Sequence, residues 1–130
     1  MKRVFKTRTF ARWMQKAGLL DNALRQAVTE MDQGLIDADL GGNVVKKRVA
    51  LSGRGKRGGA RTLVATNRGT RWFFMYGFEK NERANIDKNE LKFFQEVAKE
   101  LLGFSEHQLA TALAAGEITE VCDGNDKTEK

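Results

Sequence analysis

One cysteine, one histidine and no proline occur in the 130 residues. The lone Cys122 cannot close an internal disulfide. Together with the lone His107 it gives no Cys/His set with the spacing of a structural zinc site, so a reducing, cytoplasmic setting is expected. No stretch approaches the roughly 18 consecutive apolar residues that a membrane-spanning helix needs, so a soluble protein with no membrane partner is expected. The first 20 residues carry Lys2, Arg3, Lys6, Arg8, Arg12 and Lys16 with no acid. They also contain no serine, which argues against a transit peptide. At this length one domain is the expectation, with a core that buries roughly two-thirds of the surface exposed by the unfolded chain.

Acidic residues are scarce in one place in particular. Residues 41–83 hold 11 Lys and Arg against Glu79 and Glu82, a local charge of +9, whereas residues 84–130 hold 5 basic and 10 acidic residues, or −5. The whole chain is at +6, so the excess is concentrated in its middle third. Such a concentration suits a phosphate-rich partner, because Lys and Arg that neutralise phosphates release condensed counterions. A solubility surface would mix both signs along its length.

The residue pattern predicts an α+β fold. Arg3–Lys6 reads as a short strand, after which Thr7 or Thr9 caps a helix with Phe10, Trp13, Met14 and Ala17 on one face and Gly18 at its end. Asp21 is expected to cap a second helix with Leu24, Ala27, Val28 and Met31 buried and Gly34 as its stop, so that the two make a helical hairpin. Past Gly41-Gly42 the period changes to 2, and strands are expected over 43–51, 60–66 and 71–78. Short glycine-bearing linkers make these a three-stranded antiparallel meander. Two capping boxes, Asp87 with Glu90 and Ser105 with Gln108, open C-terminal helices ended by Gly103 and Gly116. The domain is expected over 1–121, with 105–121 as an extra C-terminal helical segment and 122–130 as a polar, frayed tail.

Familiar catalytic motifs fail on context. Gly53-x-Gly55-x-x-Gly58 matches the dinucleotide pattern as a string, yet a strand follows it where the motif requires a helix. A Walker loop would need glycine and a hydroxyl residue where Ala50 and Arg57 stand, and a kinase would need a longer chain with HRD and DFG segments. What remains is a cationic hairpin tip, Arg54, Lys56 and Arg57, able to approach phosphates. His107 has no partner of a triad or metal motif and is expected on a helix surface. No acidic cluster lies at the basic centre, as a metal-dependent nuclease would need, so neither metal nor cofactor is expected.

The strand over 43–51 carries the sharper signal. Alternation puts Val45, Lys47, Val49 and Leu51 on one face, a core face with one charged interruption, and Lys46 and Arg48 on the other, where Arg61 of the next strand can join them. Unpaired Lys and Arg are almost never fully buried, so this second face is either a plain solvated surface or a site. The aromatic run from Trp72 to Phe78 is too dense for a half-exposed strand and is expected to be central. At its end Phe78 or Tyr76, near Lys80 and Arg83, is a candidate base-stacking platform.

A site built from Lys and Arg suits metal-free RNA strand scission, in which the 2′-hydroxyl of the RNA is the nucleophile. Arg stays charged and forks onto phosphate oxygens, while Lys can move protons. DNA lacks the nucleophile, so this inventory points to RNA.

The element order, together with KKRVALSGRGKRGGARTLVA and WFFMYGFEKNERANI, resembles the RelE/HigB toxins of bacterial type II toxin–antitoxin systems. The likeness covers roughly residues 1–102 and is most specific from Gly41 to Ile86. It implies a RelE-like fold and a messenger-RNA endoribonuclease that acts mostly on message in the ribosomal decoding site. It also implies a neutralising antitoxin partner that binds operator DNA, with no DNA binding by the toxin alone. By the same resemblance the site falls on Lys46, Arg48, Arg61, Lys80 and Arg83. Arg61 and Arg83 would stabilise the transition state, and Lys46 or Lys80 would move protons. RNA contacts would come from Arg54, Lys56, Arg57 and Phe78. Some relatives place a tyrosine shortly after the last segment, where this chain has Asn85-Ile86-Asp87. Two alternatives remain at the level of sequence: a ParE-like toxin that inhibits DNA gyrase by protein contact, and a non-catalytic RNA-binding module.

Overall fold

The computed structural model describes residues 2–51 and 59–122. In chain order the elements are β1 (Arg3–Thr7), α1 (Arg8–Ala17), α2 (Asp21–Asp32), β2 (Ala38–Gly41), β3 (Val44–Val49), β4 (Ala60–Thr66), β5 (Arg71–Glu79), α3 (Lys88–Leu102), α4 (Glu106–Ala114) and β6 (Ile118–Val121). The strands form a single sheet in the order β2-β3-β4-β5-β1-β6. Neighbours from β2 to β5 are antiparallel, β1 lies parallel to β5, and β6 runs antiparallel to β1. The expected meander is β3 to β5, at the centre of a wider sheet.

Local chemistry explains most of the element ends. The Thr7 hydroxyl accepts the Phe10 N–H at 3.2 Å at the start of α1, and Gly18 closes that helix at φ 76°, a left-handed conformation that glycine adopts without a Cβ penalty. Both predicted capping boxes are present, on α3 and α4. The cap expected at Asp21 is displaced by one residue. Leu20 holds the cap position without a side-chain bond, and Asp21 occupies the first turn, where its charge suits the helix dipole and its Oδ1 accepts Lys6 Nζ at 2.8 Å.

Two strands depart from the sequence expectation. The pair β2–β3 turns on Gly42 and Asn43, at φ 61° and 66°, the two-residue geometry whose twist matches antiparallel strands. The segment 105–121, expected to be helical, is helical only through Ala114; Ile118–Val121 then returns as β6 along β1. Ile118 and Val121 are buried, and Glu120 forks onto Arg3, with Nε–Oε2 and NH2–Oε1 both at 3.0 Å. Four residues are too few for a period to declare itself, so partner strand β1 decides this assignment.

Helices cover both faces, which is why β4 and β5 are buried almost along their length. On one face α1 and α2 lay Phe10, Met14, Leu24, Val28 and Met31 against Val45, Val49, Val64, Trp72 and Phe74. On the other, α3 and α4 lay Phe94, Ala98, Leu101, Leu109 and Ala112 against Phe5, Val44, Leu63, Ala65, Phe73 and Met75. Gly77 sits under Trp13 of α1, whose ring would lie 2.3 Å from any added Cβ; this close approach explains a glycine inside a central strand.

Candidate functional site

The sheet register brings the cationic residues into rows. Lys46 of β3 lies opposite Leu63 of β4, which lies opposite Tyr76 of β5. One step along the strands, Arg48 lies opposite Arg61, and Arg61 opposite Phe78. Paired residues of antiparallel strands share a face, and Leu63 belongs to the α3 side, so both rows stand on that face. There α3 covers Leu63, Ala65 and Phe73, whereas Arg48 is exposed and Lys46, Arg61 and Tyr76 are half-buried. The expected set on β3 and β4 is thus brought together at the less covered end of the sheet.

Two arginines directly opposite each other repel, so a purely structural sheet gains nothing from the Arg48–Arg61 pair. Arg48 is partly compensated: its Nε donates to Asp37 Oδ1 at 3.0 Å, and its backbone N–H donates to Asp37 Oδ2. Arg61 is not. Its NH1 is buried and has no hydrogen-bond partner among the described residues, the situation of a donor placed for an external acceptor. Lys46 likewise makes no side-chain hydrogen bond or ion pair among the described residues.

The adjacent Lys47 is a different kind of residue. It is the charged interruption of the core face, 4% exposed, with Nζ 2.9 Å from Glu30 Oε1 of α2 and donating to Leu35 O at 2.8 Å. Its charge is consumed in tying α2 and the following loop to β3.

The segment after β5 approaches the site through Arg83. Glu82 and Arg83 N–H both turn back to Glu79 O, and Arg83 then lies with its guanidinium 5.8 Å from the centre of the Phe78 ring. Glu90, at the start of α3, grips it with both carboxylate oxygens: Oε2 accepts NH1 at 2.8 Å and Oε1 accepts NH2. That contact, with the Asp87 N–H on Glu90 Oε1 at 2.9 Å, lowers the Glu90 carboxyl to about 2 and raises the Arg83 guanidinium further above its ordinary value. NH1 of Arg83 also donates to the Tyr76 hydroxyl at 3.3 Å. Lys80 is exposed in the turn and has no side-chain partner among the described residues.

Phe78 corrects the expectation of a base-stacking platform. It is 2% exposed, with Tyr76 at 6.0 Å and Arg83 against it, and a base needs an open ring face. Its ring supports the Arg83 side chain instead. Arg54, Lys56 and Arg57 lie outside the described residues. His107 is exposed on α4, as expected. Among the described residues no three His, Cys, Asp or Glu side chains gather as a metal site would require, and no helix is long and apolar enough to cross a membrane.

Sequence reading missed the Glu90–Arg83–Tyr76 chain of contacts. The Asp87/Glu90 capping box was visible, but a capping glutamate spends only part of its carboxylate on the backbone, and which cation takes the rest depends on how α3 docks. For Tyr76 a signal existed: it shares strand parity with Phe78 and therefore faces the same side as Arg61.

These features define a small α+β domain with a cationic, partly uncovered sheet face. The family described as the RelE toxin of the RelE/RelB toxin–antitoxin system matches residues 2–121, and the chain belongs to that family. It is a toxin of a toxin–antitoxin system, and its partner is an antitoxin of the RelB type. No curated protein matches the chain.

Proposed function

We propose that this toxin is an endoribonuclease that cuts messenger RNA on the ribosome, without a metal ion, and so stops translation. The observation that carries the reading is the buried NH1 of Arg61, which has no partner among the described residues and is set opposite Arg48 at the less covered end of the sheet. A scissile phosphate supplies the acceptor that this nitrogen lacks. As the 2′-hydroxyl attacks phosphorus, negative charge grows on the non-bridging oxygens, and fixed guanidinium groups stabilise that charge more than the ground state. Lys46, half-buried and one row away on the same face, is the group placed to take the 2′ proton. Arg48, Lys80 and Arg83 are the further cations assigned to this site, and Arg54, Lys56 and Arg57, which lie outside the described residues, are assigned to RNA contact. The products are a 2′,3′-cyclic phosphate and a 5′-hydroxyl end.

The test adds purified protein to ribosomes translating an end-labelled message. Cut message with those termini is expected, and Arg61→Ala should leave the message whole. Intact message with the wild-type protein overturns the reading, and DNA breaks that depend on gyrase in the same preparation would assign the toxin to protein-contact inhibition instead.

A further inference from the structure

The Tyr76 ring is wedged between Phe94 of α3, at 5.1 Å between centroids, and Phe78, at 6.0 Å. Its hydroxyl oxygen accepts NH1 of Arg83 at 3.3 Å, and its own O–H has no acceptor among the described residues. Arg83 is the opposite case. NH1 serves Tyr76 and Glu90 Oε2, NH2 serves Glu90 Oε1, and Nε donates to Asn85 O at 3.0 Å. Of the five guanidinium N–H groups, one remains for a substrate. An arginine so occupied, facing a carboxylate that grips it with both oxygens, is poorly placed to meet a transition-state anion and well placed to hold a neighbour.

We propose that Tyr76 is a catalytic residue that protonates the 5′-oxygen leaving group, and that Arg83, held by Glu90, is its positioning residue. The proposal rests on the nuclease reading above and changes the assignment within it. Lys46 and Tyr76 flank β4 in one register row, two strand spacings or roughly 10 Å apart at Cα, with Arg61 on the strand between them. In-line displacement wants the base and the acid on opposite sides of phosphorus; a phosphate held by Arg61, one register step along β4, would have the β3 lysine on one side and the β5 tyrosine on the other. The 2′-oxygen to phosphorus bond forms as the bond from phosphorus to the 5′-oxygen breaks. The 2′ proton passes to Lys46, and the Tyr76 proton passes to the 5′-oxygen. The charge left on the phenol oxygen faces the Arg83 N–H, and solvent then returns a proton to Tyr76 and removes one from Lys46.

The experiment uses Tyr76→Phe, which keeps the ring between Phe94 and Phe78, in the full-length protein on programmed ribosomes. Two messages are compared, one natural and one with a bridging 5′-sulfur at the cut site, a leaving group that needs no proton. Loss of the acid should slow cleavage of the natural message by ~100-fold or more while cleavage of the sulfur message stays near wild type. Glu90→Gln should show a smaller loss with the same selectivity, since it acts through Arg83. If Tyr76→Phe cuts the natural message at the wild-type rate, or is slowed equally on both messages, the tyrosine assignment is wrong while the nuclease reading stands. If the wild-type protein cuts neither message, the nuclease reading fails and takes this assignment with it.

Discussion

Lys47→Ala separates two adjacent lysines that the sequence alone makes look alike. The substitution takes a counter-charge from Glu30, whose side chain is 14% exposed, and a donor from Leu35 O. Breaking a buried ion pair from one side costs about 3–5 kcal/mol, and the Gln26 amide that remains on Glu30 Oε2 at 3.1 Å puts this pair at the lower end of that range. For a domain of this size that corresponds to a fall in Tm of about 10–20 °C. Thermal and urea unfolding followed by circular dichroism measure both. Lys46→Ala, on the other face and with no partner among the described residues, should change stability by less than about 0.5 kcal/mol yet abolish message cleavage. A doubly substituted protein, Lys47→Met with Glu30→Leu, should recover most of the lost stability, since well-packed apolar residues replace buried ion pairs at little cost. If the stability of Lys47→Ala lies within about 1 kcal/mol of wild type, the burial argument is wrong.

Three further outcomes are expected. Arg61→Ala should lower message cleavage by ~100-fold or more while leaving the urea midpoint at or above that of wild type, because it removes a buried donor that has no partner among the described residues. Gly77→Ala should cost about 1–3 kcal/mol in the same unfolding assay, since the new Cβ lies 2.3 Å from Trp13 Cζ3 and α1 must shift to admit it. The third concerns acid. The folded-state value of Glu90 is depressed from 4.5 to about 2, so its contribution is present above the unfolded value and is lost as pH falls through that window. Glu90→Gln should therefore flatten the fall in stability between pH 4.5 and 2; an unchanged acid limb would show that the Arg83 contact contributes nothing to folding.

The helices were legible in the residues because their signals are local. Thr7, Asp87 and Ser105 each satisfy backbone N–H groups three residues on, and each starts a helix where the pattern placed it. Strands β3 to β5 were legible because glycine-bearing linkers and period-2 alternation agree. The short strands β2 and β6 were not, since four residues carry too little pattern and their partners are remote in sequence. Asp21 misled by one position: Leu20, a poor cap, holds the cap position without a side-chain bond, and Asp21 falls in the first turn.

For the candidate site, alternation alone placed Lys46 and Arg48 apart from Lys47, and the register then set Arg61 directly across from Arg48. What no local pattern could state is how each charge is spent. Asp37 takes part of Arg48, Glu90 takes Arg83, Glu30 takes Lys47, and Arg61 is left with a buried nitrogen unmatched among the described residues. Composition and alternation by themselves determined a basic, β-rich centre with cations on one sheet face, because charge counts and strand parity are properties of the chain. Which of those cations is structural, which is held and which is open was decided only by the tertiary structure, because counter-ions come from helices docked far along the sequence.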